Sequence, residues 1–168
     1  NLKNVSEWVI ELLADLKVLP REEPRHITMQ APVLLIPNVL SPELCRELIN
    51  VWHTKGNDDS GFMRSVGENT VAYIDYQSKR RRDHFVKDGQ LQATLNKIII
   101  TRIVTEIEKA YHYNTTRQER YKIACYDGGL GGFFRPHRDN TTGGTAHRRF
   151  AMSLNLNVGE YEGGYLRF

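Results

Sequence analysis

Between Tyr121 and Phe168 the chain alternates apolar and polar residues one by one and interrupts the pattern with glycines. Tyr121, Ile123 and Cys125 alternate with Lys122, Ala124 and Tyr126. Phe150, Met152, Leu154 and Leu156 alternate with Ala151, Ser153, Asn155 and Asn157. A strict period of two marks a half-buried β-strand, because successive side chains point to opposite faces. Gly128, Gly129, Gly131 and Gly132 supply a turn, since glycine reaches backbone angles other residues avoid. Gly163-Gly164 precede a third short strand, Tyr165 to Phe168. A chain so patterned must set antiparallel strands side by side over one apolar layer.

His137 and Asp139 sit at the entry to the second of these strands. Two residues apart in an extended segment, their side chains share a face. An imidazole and a carboxylate held together can fill two adjacent positions on a divalent ion. An N/O donor set with open positions suits Fe(II), Mn or Zn. With six His and eight Asp in the chain, chance alone supplies ~0.3 such H-x-D pairs, so the weight lies in the strand–turn context around it.

That context carries a resemblance. Ala124-Cys-Tyr-Asp-Gly, His137-x-Asp139, Leu154-Asn-Leu-Asn157 and Glu162-Gly-Gly-Tyr-Leu-Arg-Phe168 resemble, in order and spacing, the front half of a prolyl 4-hydroxylase-type oxygenase domain. The likeness covers roughly residues 31–168 and is specific from Tyr121 onward. It is similar in particular to a bacterial subgroup in which this domain follows a peroxiredoxin-like domain. The resemblance implies a double-stranded β-helix (jelly roll), mainly β with flanking helices (α+β) and supported by two to three N-terminal helices. It implies Fe(II), 2-oxoglutarate and O2 as cofactor and co-substrates, with ascorbate as the reductant in assays. It places the first two iron ligands at His137 and Asp139, and Tyr126 in the co-substrate pocket. Asn155 falls where many members carry a second tyrosine near the 2-oxoglutarate carboxylate, which leaves the grip on that carboxylate open. The family's distal His and the basic residue after it lie beyond Phe168. The substrate class implied is peptidyl or small-molecule.

Composition bounds the alternatives. A chain of 168 residues that is 40% apolar and 26% charged is one ordinary globular domain by default. A net charge of +3 is too mild to imply a nucleic-acid partner. No apolar run approaches the ~20 residues of a membrane span. Two cysteines make no disulfide framework and fit a reducing cytoplasm.

In chain order, Val5 to Leu16 has helical spacing, and Leu19 to Gln30 reads as a linker, giving a division into 1–30 and an oxygenase-like 31–168. The helix is either the last element of an upstream domain or a support packed on the oxygenase core. Residues 31–37 read as a short strand between prolines. Ser41-Pro42-Glu43 opens a helix that Lys55-Gly56 ends. Residues 57–68 read as a polar loop, and Val71 to Tyr76 as a strand. Lys79 to His84 reads as a solvated basic face or as a clamp for an acidic group, with Arg81 the candidate. Asp88 to Tyr113 is the longest helix, capped by Asp88. Arg149, on the polar face with Ser153 and Asn155, binds an anionic substrate group or pairs with an acid such as Asp139. Arg135 fixes the ligand strand by an ion pair or is exposed. His26, His53, His84 and His112 read as surface or helix-end groups. Opposed to the oxygenase stands a non-catalytic jelly-roll module that binds anions through the Arg cluster.

Overall fold

Helix-start signals written in the sequence anchor the fold. The structure is a computed structural model that describes residues 4–18 and 32–167. The chain divides into two compact units, Asn1–Val33 and Leu34–Phe168. In the first, α1 (Val5–Val18) follows the predicted spacing, and none of its residues is buried. The predicted linker from Leu19 to Gln30 lies outside the described residues.

In the second unit α2 spans Pro42–Thr54. The Ser41 hydroxyl accepts the Leu44 N–H at 3.2 Å, and Pro42 occupies the first turn, where its missing N–H has no intrahelical partner to lose. Lys55 closes the helix, and Gly56 turns the chain away at φ +81°. α3 (Gly89–Ile99) is capped by the Asp88 carboxylate, which accepts the Leu91 N–H at 2.7 Å. It runs into a π-helical turn, Ile100–Val104, and then α4 (Thr105–Tyr111), which His112 ends in the left-handed region.

The π turn was not anticipated, and it has a cause. Leu91, Leu95, Ile99 and Ile103 are the buried positions, spaced by four. In an α-helix of 3.6 residues per turn such a row drifts by about 40° at each step. A wider turn takes up the drift and keeps Ile103 facing inward.

Among the described residues seven strands, all antiparallel, form three small sheets. β1 (Asp58–Asp59), β5 (Arg82–Phe85) and β6 (Lys122–Cys125) make one, in the order β1-β5-β6. β2 (Phe62–Val66) and β3 (Asn69–Tyr73) form a hairpin, and β4 (Lys79–Arg80) pairs with β7 (Phe133–Phe134). The core lies between α2, α3 and the first sheet. Leu48, Val86, Leu91, Leu95 and Ile123 are buried together, with Leu44, Val51, Trp52, Tyr121 and Leu156 packed on them. Trp52 also donates its indole N–H to the Arg82 carbonyl at 3.3 Å, tying α2 to β5.

The class is α+β, with more helix than strand among the described residues. Several expectations are corrected. Residues 57–68 are not a plain loop, because the edge-to-face pair Phe62–Tyr73, with ring centroids 5.9 Å apart, zips β2 to β3 across Gly67. No strand forms at 32–37, 150–157 or 165–167. A period of two marks which face is apolar, but a strand also needs a neighbour for its N–H and C=O groups, and these segments pair with none among the described residues. The alternation survives locally: Leu154 and Leu156 are half-buried, while Asn155 and Asn157 are exposed.

Candidate metal centre

The turn after β6 aims the chain at the predicted ligands. The Asp127 carboxylate accepts the N–H groups of Gly129 and Leu130 at 2.8 and 3.3 Å, and its carbonyl accepts Gly132 N–H at 2.8 Å. A Cβ on Gly132 would lie 2.8 Å from backbone atoms of Tyr126 and Asp127, so only glycine lets the chain fold back this tightly. It returns as β7, with Phe134 paired to Lys79 across the ladder. Arg135 N–H then bonds to the Ser78 carbonyl at 2.9 Å, extending that pairing.

His137 follows. Its ring stacks on Phe134 with centroids 3.6 Å apart. Its Nδ1 lies 2.7 Å from the Arg135 carbonyl oxygen. A carbonyl only accepts, so Nδ1 carries the proton and, in the neutral ring, Nε2 presents its lone pair. Nε2 lies 3.3 Å from Asp139 Oδ1, both side chains being about two-fifths exposed (40% and 43%). The expectation that the two share a face is met, although by a turn rather than by a strand.

The loop beyond Asp139 is pinned at three points. Arg148 Nη1 donates to the Asp139 carbonyl at 3.1 Å, and the rest of its fork grips Glu119 at 2.6 and 2.8 Å. That guanidinium holds the Glu119 carboxyl below its usual range. Thr142 and Thr145 are buried and bond to each other reciprocally. Gly144 N–H donates to Thr70 Oγ1 on β3 at 3.0 Å. His147 Nε2 lies 3.3 Å from Glu119, so it belongs to this brace and not to the ligand pair.

The basic run Lys79–His84 is split between the two readings: Arg80 and Arg82 stay exposed, while Lys79 and Asp83 are turned inward, 4% and 6% exposed, with Arg81 in the link between β4 and β5. Arg81 forks onto Asp83, Nε to Oδ1 and Nη2 to Oδ2, both at 2.7 Å. Lys79 Nζ donates to Ser60 Oγ and the Gly61 carbonyl, each at 2.7 Å, and sits 4.7 Å from the Phe134 ring centre. Burial, with the Arg81 charge second, drops the Lys79 ammonium to about 8. Burial alone would raise the Asp83 carboxyl, but hydrogen bonds from Arg81 and Ser60 outweigh it and hold it low. Arg82 is spent on Asn57 and Asp59, and Arg80 on the Leu130 carbonyl.

The other sequence candidates divide. Tyr126 is half-exposed (48%), and its hydroxyl accepts from Arg81 Nη1 at 3.3 Å. Asn155 and Arg149 are exposed; with no strand over 149–157, nothing turns them into a shared pocket wall. Arg135 contributes through its backbone, as donor to Ser78 and acceptor from His137. Sequence reasoning missed Ser60, Glu119 and Arg148, and it read Lys79 and Asp83 only as members of the basic run, not as an inward pair.

Among the described residues no group of three His, Cys, Asp or Glu stands close enough to cage a metal, and no helix is long and apolar enough to cross a membrane. Both cysteines, Cys45 and Cys125, are free. Two concave surfaces, one along Leu34–Pro37 and Arg102, the other along Asn96 and Gln118–Tyr121, do not touch His137 or Asp139. No family model, curated protein or solved structure matches the chain.

Proposed function

We propose that the chain carries the first half of a metal site of an Fe(II)- and 2-oxoglutarate-dependent dioxygenase that hydroxylates a peptidyl or small-molecule substrate. One observation carries this. With Nδ1–H tied back to Arg135, the His137 Nε2 lone pair faces an Asp139 carboxylate oxygen at 3.3 Å. Two electron-rich atoms that close repel unless a proton or a cation lies beside both. Adjacent ligands of an octahedral ion with bonds of about 2.1 Å stand about 3.0 Å apart, so the pair is set at a distance that fits.

Each protein group then has a stated task. His137 and Asp139 would hold the ion. The Arg135 carbonyl fixes the imidazole tautomer, as outer-sphere acceptors do at metal sites. Phe134 keeps the ring in plane, and Arg148 with Glu119 holds the Asp139 backbone. When bound, Fe(II) with O2 and 2-oxoglutarate supplies the oxidising power, as the co-substrate loses CO2 to become succinate. Tyr126 stands ready as a hydrogen-bond partner for a co-substrate carboxylate. The small antiparallel sheets, in this proposal, belong to a double-stranded β-helix, and the two free cysteines are in keeping with a cytoplasmic setting. An anion-binding module without catalysis finds less support, because Arg81 is held by Asp83 and Arg82 by Asn57 and Asp59.

The test is succinate release by the full-length protein with Fe(II), 2-oxoglutarate and ascorbate. Release above background that His137→Ala abolishes supports the assignment. Absence of any 2-oxoglutarate turnover in the metal-loaded wild type defeats it.

A further inference from the structure

Ser60 and Lys79 take no part in holding an ion, yet they meet as a nucleophile and its base would. Lys79 Nζ lies 2.7 Å from Ser60 Oγ. The Gly61 carbonyl accepts a second Nζ proton at 2.7 Å, which fixes the amine against the hydroxyl. The fold sets this pairing. Ser60 sits in the link between β1 and β2, where its N–H bonds to the Arg81 carbonyl at 2.8 Å, and Lys79 lies in β4 just before Arg81.

An ammonium cannot take a proton, so a lysine base must lose its charge near neutral pH. Burial, then the Arg81 charge, brings Lys79 down to about 8; Lys122 pushes the same way, while Asp83 and Asp139 oppose. At 4% exposure the lysine is shut away from solvent. Ser60 is only half-buried, so of the pair it is the residue open to an incoming molecule. While Lys79 is charged, Ser60 Oγ donates to Asp83 Oδ2. Asp83 is too weak a base to take that proton, because its hydrogen bonds hold the carboxyl low. Once Nζ is neutral, its lone pair is the stronger base within reach of the hydroxyl.

Negative charge also has a place to go. Arg81 Nη2 lies 3.4 Å from Ser60 Oγ. The N–H of Gly61, next in the chain, makes no backbone hydrogen bond among the described residues. Donors beside the nucleophile are what a developing oxyanion requires.

We propose that Ser60 is a nucleophile that accepts the acyl group of a carboxylic ester, with Lys79 as its base and Arg81 as an oxyanion donor. Oγ attacks the ester carbonyl as its proton passes to neutral Nζ. The C–O bond to the alcohol then breaks, and Nζ returns the proton to the departing alkoxide. Water attacks the acyl-serine and gives a proton to Nζ; Oγ leaves, regains that proton, and the acid is released. Nothing is oxidised or reduced and no metal takes part, so this activity stands apart from the oxygenase assignment.

The experiment treats the full-length protein, with EDTA present, with a fluorophosphonate or with p-nitrophenyl acetate from about pH 6 to 10. Peptide mapping locates the phosphonyl adduct, and nitrophenolate release gives the acylation rate. Ser60 should be marked ahead of every other serine, at a rate that rises through about pH 8 as Lys79 loses its proton. Ser60→Ala should take no adduct at this peptide, and Lys79→Met should slow acylation at high pH roughly a hundredfold. Wild type decides by itself. No Ser60 adduct across that range, or other serines marked as fast, overturns the proposal. Ser60 labelling that is flat with pH also overturns it, as does a Lys79→Met variant, folded by circular dichroism, that labels at the wild-type rate; the lysine contact is then structural alone. Should Lys79→Met not fold, the wild-type pH profile carries that half of the test.

Discussion

Replacing Asp83 by Asn tests the inward basic strand. Asp83 is 6% exposed and accepts from both Arg81 nitrogens at 2.7 Å and from Ser60. Asn keeps the shape and one acceptor oxygen, but it turns an NH2 toward a donor and removes the only negative charge of the cluster. One charge-assisted bond lost costs about 1.5–3 kcal/mol. Leaving Arg81 and Lys79 facing each other unopposed brings the expected loss to about 3–5 kcal/mol, the range for breaking a buried ion pair; the partial exposure of Arg81 favours the lower end. Urea denaturation at neutral pH reads the loss directly. The acid limb provides an internal control. The folded Asp83 carboxyl is held below its usual value of 3.8, so the stabilisation is present above that pH and fades as pH falls through the lower folded value. The gap between wild type and Asp83→Asn should therefore narrow in acid. Adding Lys79→Met to Asp83→Asn should recover part of the loss by removing one stranded cation. A neutral-pH difference within 0.5 kcal/mol, the ordinary scatter of about ±0.5 for surface changes, would show that this strand is solvated after all.

Three further outcomes follow from the same contacts. Leu95→Ala, at a core position 3% exposed, should cost about 2–5 kcal/mol in denaturant titrations. Arg148→Gln frees both the Asp139 carbonyl and Glu119, and should weaken divalent-metal binding roughly tenfold in a direct titration. Lys79, held near 8 against an ordinary 10.5, releases its proton in the folded chain before the unfolded one. Stability should therefore rise from pH 8 to 10.5, where the unfolded state binds more protons, by up to about 3 kcal/mol; Lys79→Met should lack that rise when both are followed by chemical denaturation.

The helices were legible because their signals are local. Ser41-Pro42, Asp88 and the apolar rows of α2 and α3 act within a turn or two of the residues that carry them. The convergence of His137 and Asp139 was legible for a similar reason, since two residues apart is close in almost any bent or extended path. What failed was long-range. The 150–157 alternation named an apolar face without naming a neighbour, and that error of parity promoted Arg149 when Arg148 is the arginine that reaches Asp139. At Lys79–Asp83 composition told half the story: charge density suggested solvent, which Arg80 and Arg82 do meet, while β4 and β5 turn Lys79 and Asp83 inward. The π turn answers a packing demand on Ile103 that appears only once the row of fours meets a core.

The most direct test of the central claim is a titration of Mn(II), as a paramagnetic stand-in for Fe(II), into the full-length protein, followed by electron paramagnetic resonance. The paired imidazole and carboxylate predict one tight site in wild type, lost in both His137→Ala and Asp139→Ala with the fold intact by circular dichroism. Equal binding by wild type and both variants, or none by wild type, would contradict it.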